Sequence, residues 1–480
     1  MSAKIDLGKF DGQTFTSGDV VHGRVYFQFY QPETVSSIHV KLEGMSQSKV
    51  PIPQDNNRNR SKKDAFEIHK FMYVTQTLFP PPEIRKASAS GEFTLPAGKH
   101  SYDFSLVIPD NLACQSVKQP GSLSISRFVI DKHGLDYARS ASFHSSGPLP
   151  PSLSDIDKHA IIRYFLKVTV ARTSYIKTNI RVYKPIIFLP PDINSFPSQN
   201  VLFVRRDVLL GVDRGDGNTR PAYQEKSSVK SFFKNVVSPQ PVGRDVSITL
   251  EMRYPENSKF TPLRKGLPIK LFAISRMHPK ESKLANSTIQ LSHLTLNLLS
   301  TTETRAQSYM KAYTLSLPLF NENPNYRLDW SQAVQKTNPQ FGTSWELEIP
   351  PSIYQNAIIP DFVPPTFTMC NIKRHYQLEV AAFFTTYGTS RNVSLIADII
   401  IMSGLSRNSM PLLPNRPQNG MPPMGSTGGQ NGDLPPPSYD AVLTEEGISA
   451  AQPASGLEPR RQFGQAPGYY ENIESLDEKR

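Results

Sequence analysis

In "GDLPPPSYDAVL", Gly432 to Leu443, three prolines run into a tyrosine and an acidic residue. Polyproline II has about three residues per turn and leaves its backbone open to water. Pro436 and Tyr439, three positions apart, therefore project from one face, with Pro437 packed beside them and Ser438 pointing away. Such a face fits the aromatic-lined groove of a WW domain, where prolines stack between rings and the tyrosine enters a neighbouring pocket. Proline is already close to its bound conformation, so little entropy is lost on docking. Pro435 extends the run, and Asp440 can cap a short turn formed by "DAVL". The competing reading is filler, because P-P-x-Y is short and proline is plentiful here, at 42 residues. Two weaker candidates carry less. "PPTF" (364–367) has phenylalanine in place of tyrosine and leads into an expected strand, which makes it structural. "APGYY" (466–470) is a weak docking, kinase or sorting signal.

Residue types that could support catalysis do not assemble along the chain. There is no G-x-S-x-G elbow, H-E-x-x-H pair, P-loop or dinucleotide fingerprint. "GVDRGDGNTR" (211–220) has glycines without the spacing of a phosphate cradle and reads as a flexible loop. Asp103 and Glu379, beside aromatic strands, read as strand-edge or solvated carboxylates rather than an acid–base pair. The histidines are scattered, and the two cysteines, Cys114 and Cys370, lie far apart, so neither a disulfide framework nor a zinc site is expected. The expectation is a non-enzyme with no cofactor, no catalytic residue and no metal ligand.

The 480 residues suffice for two or three domains. The net charge of +11 is uneven: from Ser403 onward six Lys/Arg oppose nine Asp/Glu, a net of −3, which leaves +14 on the rest. A basic body suits anionic lipid headgroups or acidic protein segments, or is simply a solvated surface; nucleic acid is not an expected partner. No apolar leader opens the sequence, and its longest membrane-like run, "LIADIIIM" (395–402), is far short of the ~20 residues a spanning helix needs. A reduced, cytosolic, peripherally recruited protein is expected, which makes the sequons at Asn286 and Asn392 coincidental.

What must position these residues is a series of strands. "VVHGRVYFQFY" (20–30), "SSIHVKLEGM" (36–45), "HSYDFSLVIPD" (100–110), "IIRYFLKVTVAR" (161–172) and "KTNIRVYKPIIFLPP" (177–191) make up a first half. A polar connection then precedes "DVSITLEMRYP" (245–255), "GLPIKLFAISRM" (266–277), "STIQLSHLTLNLLS" (287–300), "WELEIPPS" (345–352), "HYQLEVAAFFTTYG" (375–388) and "VSLIADIIIMSG" (393–404). Short strands between turn clusters over two comparable stretches predict an all-β chain of two tandem β-sandwiches. The polar loops at 51–66 and 142–155 are expected to be disordered. In Ser409–Ser438, 13 of 30 residues are Pro or Gly, a composition that cannot offset ordering entropy, so a disordered tail is expected. About thirty such residues would let the proline motif range roughly 30 Å from the body.

These pieces, in this order, resemble the arrestin family and specifically the alpha-arrestins, or arrestin-related trafficking adaptors. The resemblance rests on "FTSGDVVHGRVYFQF" with Gly18, Asp19 and Gly23, on "LPAGKHSYDFSLVIPDNL" (95–112), and on "IRYFLKVTVAR" followed by "VYKPIIFLPP". In the second half it rests on "RKGLPIKLFAI", on "WELEIPPSIYQNAIIPDFVPPTFTMCNIKRHYQLEVAAFF" and on "RNVSLIADIIIMSG", so that it covers roughly residues 5–405. It implies an arrestin-like N-terminal sandwich over 1–195, an inter-domain connection over 196–243, an arrestin-like C-terminal sandwich over 244–405 and a tail over 406–480. It also implies an adaptor. Pro436, Pro437 and Tyr439, supported by Pro435 and Asp440, would recruit a WW-domain HECT-type ubiquitin ligase to the cytosolic segment of a membrane transporter or receptor. Cargo ubiquitination, endocytosis and vacuolar or lysosomal sorting would follow at the plasma membrane and endosomes. The alternative is a ligase-independent sorting scaffold or coat-type subunit of the same fold. No acceptor lysine stands out; Lys62, Lys63 and Lys167 are ordinary in their surroundings.

Overall fold

In "AIIRYFLKVTVAR" apolar residues alternate with polar or smaller ones, the period of a pleated strand with one face buried. In the computed structural model this stretch is the strand Ala160–Arg172, and Ile162, Tyr164, Leu166, Val168 and Val170 point into the core. The structure describes residues 2–405 apart from 54–63, 88–90, 115–127, 132–133, 138–143, 155–158, 174–178, 193–199, 212–244, 257–259, 263–265, 283, 339–341 and 387–388. The tail and its proline motif lie outside the described residues, as do most of 211–220 and all of 466–470.

The chain forms two compact units. The first holds Met1–Asn194, the short segment Met369–Asn371 and the segment beginning at Gly404; the second holds Ser195–Thr368 and Ile372–Ser403. In the first unit, Ser2–Asp6, Val20–Phe29 and Gly98–Val107 form a three-stranded antiparallel sheet. A larger sheet runs in the order Thr14–Phe15, Ile180–Phe188, Ala160–Arg172, Glu33–Pro51, Asp64–Phe79. Val25, Phe27 and Leu106 from the first sheet and Val40, Leu42 and Leu166 from the second are buried. Each such side chain contributes ~1.5–3 kcal/mol of burial free energy. Gly23 is fixed by a close approach: a Cβ there would lie 2.5 Å from the Phe104 ring and 2.7 Å from the Asp6 carbonyl oxygen. At the neighbouring turn Gly18 takes φ +81° and donates its N–H to the Ile108 carbonyl, while Asp19 accepts from Thr16 N–H.

The second unit is built alike. One sheet orders Val201–Gly211, Asp245–Pro255, Lys270–Ser275, Gly342–Ile349 and Val334–Asn338. The other places Gln290–Ala306 between Tyr309–Glu322 and Ile372–Thr386, with Thr389–Ile399 on the far side of Ile372–Thr386. Leu250 and Met252 from one sheet and Leu296, Leu298, Leu378 and Val380 from the other belong to a single core. The fold is all-β, with two sandwich-like units. Pro364 of "PPTF" is buried, and its carbonyl accepts the Tyr376 hydroxyl at 2.7 Å, so this motif is part of the framework. Among the described residues no helix is long and apolar enough to cross a membrane.

Three expectations need correction. The connection at 196–243 contains a strand, Val201–Gly211, paired along its length with Asp245–Pro255. Only Val208 and Leu210 of it are buried, so no clean alternation announced it. The 51–66 loop is shorter than expected, because Val50 and Pro51 already pair with Ala65 and Asp64 in a hairpin. The 142–155 loop is packed over its described residues: Leu149 to Leu153 are buried. Ser152 and Phe188 exchange hydrogen bonds, Tyr164 hydroxyl donates to the Pro150 carbonyl, and Leu153 pairs with Ile162. A proline-rich stretch has few N–H groups to satisfy, so an extended course against a sheet suits it.

Candidate functional site

The first-unit strand Asp64–Phe79 alternates Ala65, Glu67, His69 and Phe71 on its buried face. Glu67 and His69 are each 2% exposed, an expensive placement unless their polar atoms find partners. The antiparallel register sets Ser48 opposite Glu67 and Ser46 opposite His69, both serines fully buried. Asn371 closes this seam. Its side chain accepts from the Ser46 hydroxyl at 2.7 Å and donates to Ser48 Oγ at 3.0 Å and to the Glu67 carbonyl at 3.3 Å. The adjacent Cys370 is thereby held over His69 in the same unit.

Two further segments converge there. The N–H of Ala113 donates to the Phe71 carbonyl at 2.8 Å, which lays Cys114 along the strand. An Asn111–Pro148 bridge and the Leu112 N–H to Gly147 carbonyl bond then bring the stretch after His144 alongside. Four ligand atoms, one each from His69, Cys114, His144 and Cys370, lie within 4.8 Å of one another. Cys114 Sγ is 3.2 Å from His69 Nδ1 and 3.1 Å from His144 Nδ1. The two imidazoles meet edge to face at 5.5 Å. On its other side the His69 ring places Nε2 2.6 Å from Glu67 Oε1. Cys370 Sγ accepts the Ser145 backbone N–H at 3.3 Å.

The electrostatics of the cluster follow from this packing. Burial pulls the His69 imidazole down, but hydrogen bonds to Cys370 and Glu67 outweigh it and raise it to about 9. Hydrogen bonding with Cys114 draws the Cys370 thiol well below the usual range against burial, helped by His69 and Ser145. The same bond, together with burial, pushes Cys114 up.

The sequence reading, which found no set of metal-ligating spacing, is corrected in space by these four residues. Spacing along the chain could not reveal them, because Cys114 and Cys370 come from opposite halves. The one local signal was Glu67-x-His69, two polar residues at successive inward positions of a strand whose flanking inward residues are Ala65 and Phe71. The residues predicted to bind a WW domain, Pro435, Pro436, Pro437, Tyr439 and Asp440, lie outside the described residues. The two carboxylates weighed for catalysis are separately engaged: Asp103 pairs with Arg24, and Glu379 accepts from Asn297 and Ser394.

Residues 3–191 match the family model described as arrestin (or S-antigen), N-terminal domain. Over that stretch the first unit is similar to an arrestin N-terminal domain. The match spans the two larger sheets of the first unit and all but one of the cluster residues, Cys370 being the outlier. No curated protein matches the chain. An arrestin domain is a scaffold fold, suited to holding trafficking partners or cargo.

Proposed function

We propose that the chain is an alpha-arrestin adaptor that brings a WW-domain HECT-type ubiquitin ligase to membrane-protein cargo. The supporting observation is a P-P-x-Y sequence, Pro436 to Tyr439, in the same chain as a stretch similar to an arrestin N-terminal domain. The arrestin units engage a cytosolic segment of a transporter or receptor, with the basic body facing the anionic leaflet. The ligase held at the motif works at raised effective concentration on whatever the body has captured. Ubiquitinated cargo then enters endocytosis and vacuolar or lysosomal sorting, the protein itself being cytoplasmic and recruited peripherally to plasma membrane and endosomes.

Two measurements test this. A peptide of residues 425–450 should bind WW domains, and Tyr439→Ala in the full chain should abolish that binding together with cargo ubiquitination while leaving the body folded. Undiminished ligase recruitment by the variant would overturn the ligase reading. Absence of WW binding by the peptide would leave the ligase-independent sorting scaffold in its place.

A further inference from the structure

We propose that His69, Cys114, His144 and Cys370 form a structural zinc site that fastens four separate segments of the first unit together. The inference is independent of the adaptor reading. Two sulfurs and two imidazole nitrogens are the donor set of closed four-coordinate zinc centres, and the mixture of borderline and soft ligands favours zinc over magnesium or calcium. Zinc bonds of about 2.3 Å to sulfur and 2.0–2.1 Å to nitrogen place tetrahedral ligand atoms roughly 3.3–3.8 Å apart. The protein holds its four donor atoms within 4.8 Å of one another, with the two sulfur–nitrogen distances from Cys114 at 3.1 and 3.2 Å. Only a small shift of side chains separates this arrangement from a tetrahedron.

The surroundings are those a metal site requires. His69 turns Nδ1 toward the thiols and presents Nε2 to Glu67 Oε1 at 2.6 Å, the carboxylate–histidine pairing that fixes the tautomer and sharpens the ligand. Glu67 is itself 2% exposed, so its carboxylate has been buried for a purpose, and hydrogen bonding to a ligating imidazole supplies one. The Ser145 N–H and hydroxyl lie 3.3 and 3.5 Å from Cys370 Sγ and would stabilise a bound thiolate. Each ligand is placed by contacts it does not itself make: Cys370 by the Asn371 seam, Cys114 by the Ala113–Phe71 bond and His144 by the bridge at Pro148. His144 is exposed, which gives the ion an entry path, whereas His69 and Cys370 are buried. Two thiolates balance the charge of the ion. Four protein ligands leave no open position for substrate, so the role is structural rather than catalytic.

The test is metal analysis of the full-length chain purified under reducing conditions, followed by exchange with cobalt(II). The expected result is one zinc per chain and, after exchange, the visible bands of tetrahedral cobalt with thiolate-to-metal charge transfer. Cys370→Ser should weaken the charge-transfer band. Glu67→Gln, which leaves all four ligands in place, should keep the fold by circular dichroism and lower zinc affinity about 10–100-fold. A folded chain with both thiols reduced and no stoichiometric zinc would overturn the proposal. So would a Cys114–Cys370 disulfide in the purified protein, or metal retained in full by a folded Cys114→Ser/Cys370→Ser variant.

Discussion

The strands Asp64–Phe79 and Ile372–Thr386 share a period and differ in what they bury. Ile372–Thr386 presents Tyr376, Leu378, Val380, Ala382 and Phe384 inward, an almost pure hydrocarbon face within the core of the second unit. Asp64–Phe79 presents Ala65, Glu67, His69 and Phe71, so half of that inward row is ionisable. Hydrocarbon faces are satisfied by any apolar neighbour of the right size. A carboxylate and an imidazole need particular partners at particular distances: Glu67 and His69 meet at 2.6 Å, and the Cys114 and Cys370 thiols face the His69 ring. The first kind of face makes a stable sandwich. The second makes a place where distant parts of the chain must arrive.

The largest effect should come from the hydrocarbon face. Leu378→Ala removes a fully buried side chain from the second-unit core and is expected to cost ~2–5 kcal/mol, read from denaturant midpoints at constant m-value. A cost near zero would show that this face is as adaptable as a surface. Next, Asn371→Ala takes the acceptor from the fully buried Ser46 hydroxyl and a donor from Ser48, and should cost ~1–3 kcal/mol. Hydrogen exchange should quicken along Asp64–Phe79 and not along Ile372–Thr386. Equal protection in wild type and variant would mean that the polar seam holds nothing together. The smallest effect is expected at a polar pair with no such seam. Arg24 bonds Asp103 at 2.5 Å, with side chains 50% and 71% exposed, and Arg24→Ala should leave the unfolding midpoint unchanged. A clear loss there would blur the distinction between polar contacts that are buried and those that are merely present.

Much of the framework was legible from alternation alone. The expected strands at 20–30, 161–172, 245–255 and 375–388 correspond to Val20–Phe29, Ala160–Arg172, Asp245–Pro255 and Ile372–Thr386. Strands that bury little on either face escaped: Val201–Gly211 exposes Val201, Leu202 and Phe203, and Tyr309–Glu322 buries only Phe320. Asp64–Phe79 escaped in part for the opposite reason. Glu67 and His69 occupy inward positions, so its start looked like the end of a polar loop. The proline-rich 144–154 stretch was misread because turn-forming composition was taken for disorder, although Leu149, Pro150 and Leu153 had a sheet to lie against.

Local order along this chain, the side-chain period of two and the proline spacing of three, is written in neighbouring residues. It is enough to specify β-sandwich construction and to mark the P-P-x-Y sequence at Pro436 to Tyr439. The meeting of His69, Cys114, His144 and Cys370 is of another kind. It requires the pairing of Glu33–Pro51 with Asp64–Phe79, the bridge from Asn111 to Pro148 and the return of Met369–Asn371 into the first unit. Each of those is a long-range closure whose entropy is repaid only by the packed whole, and no periodicity in the sequence carries it.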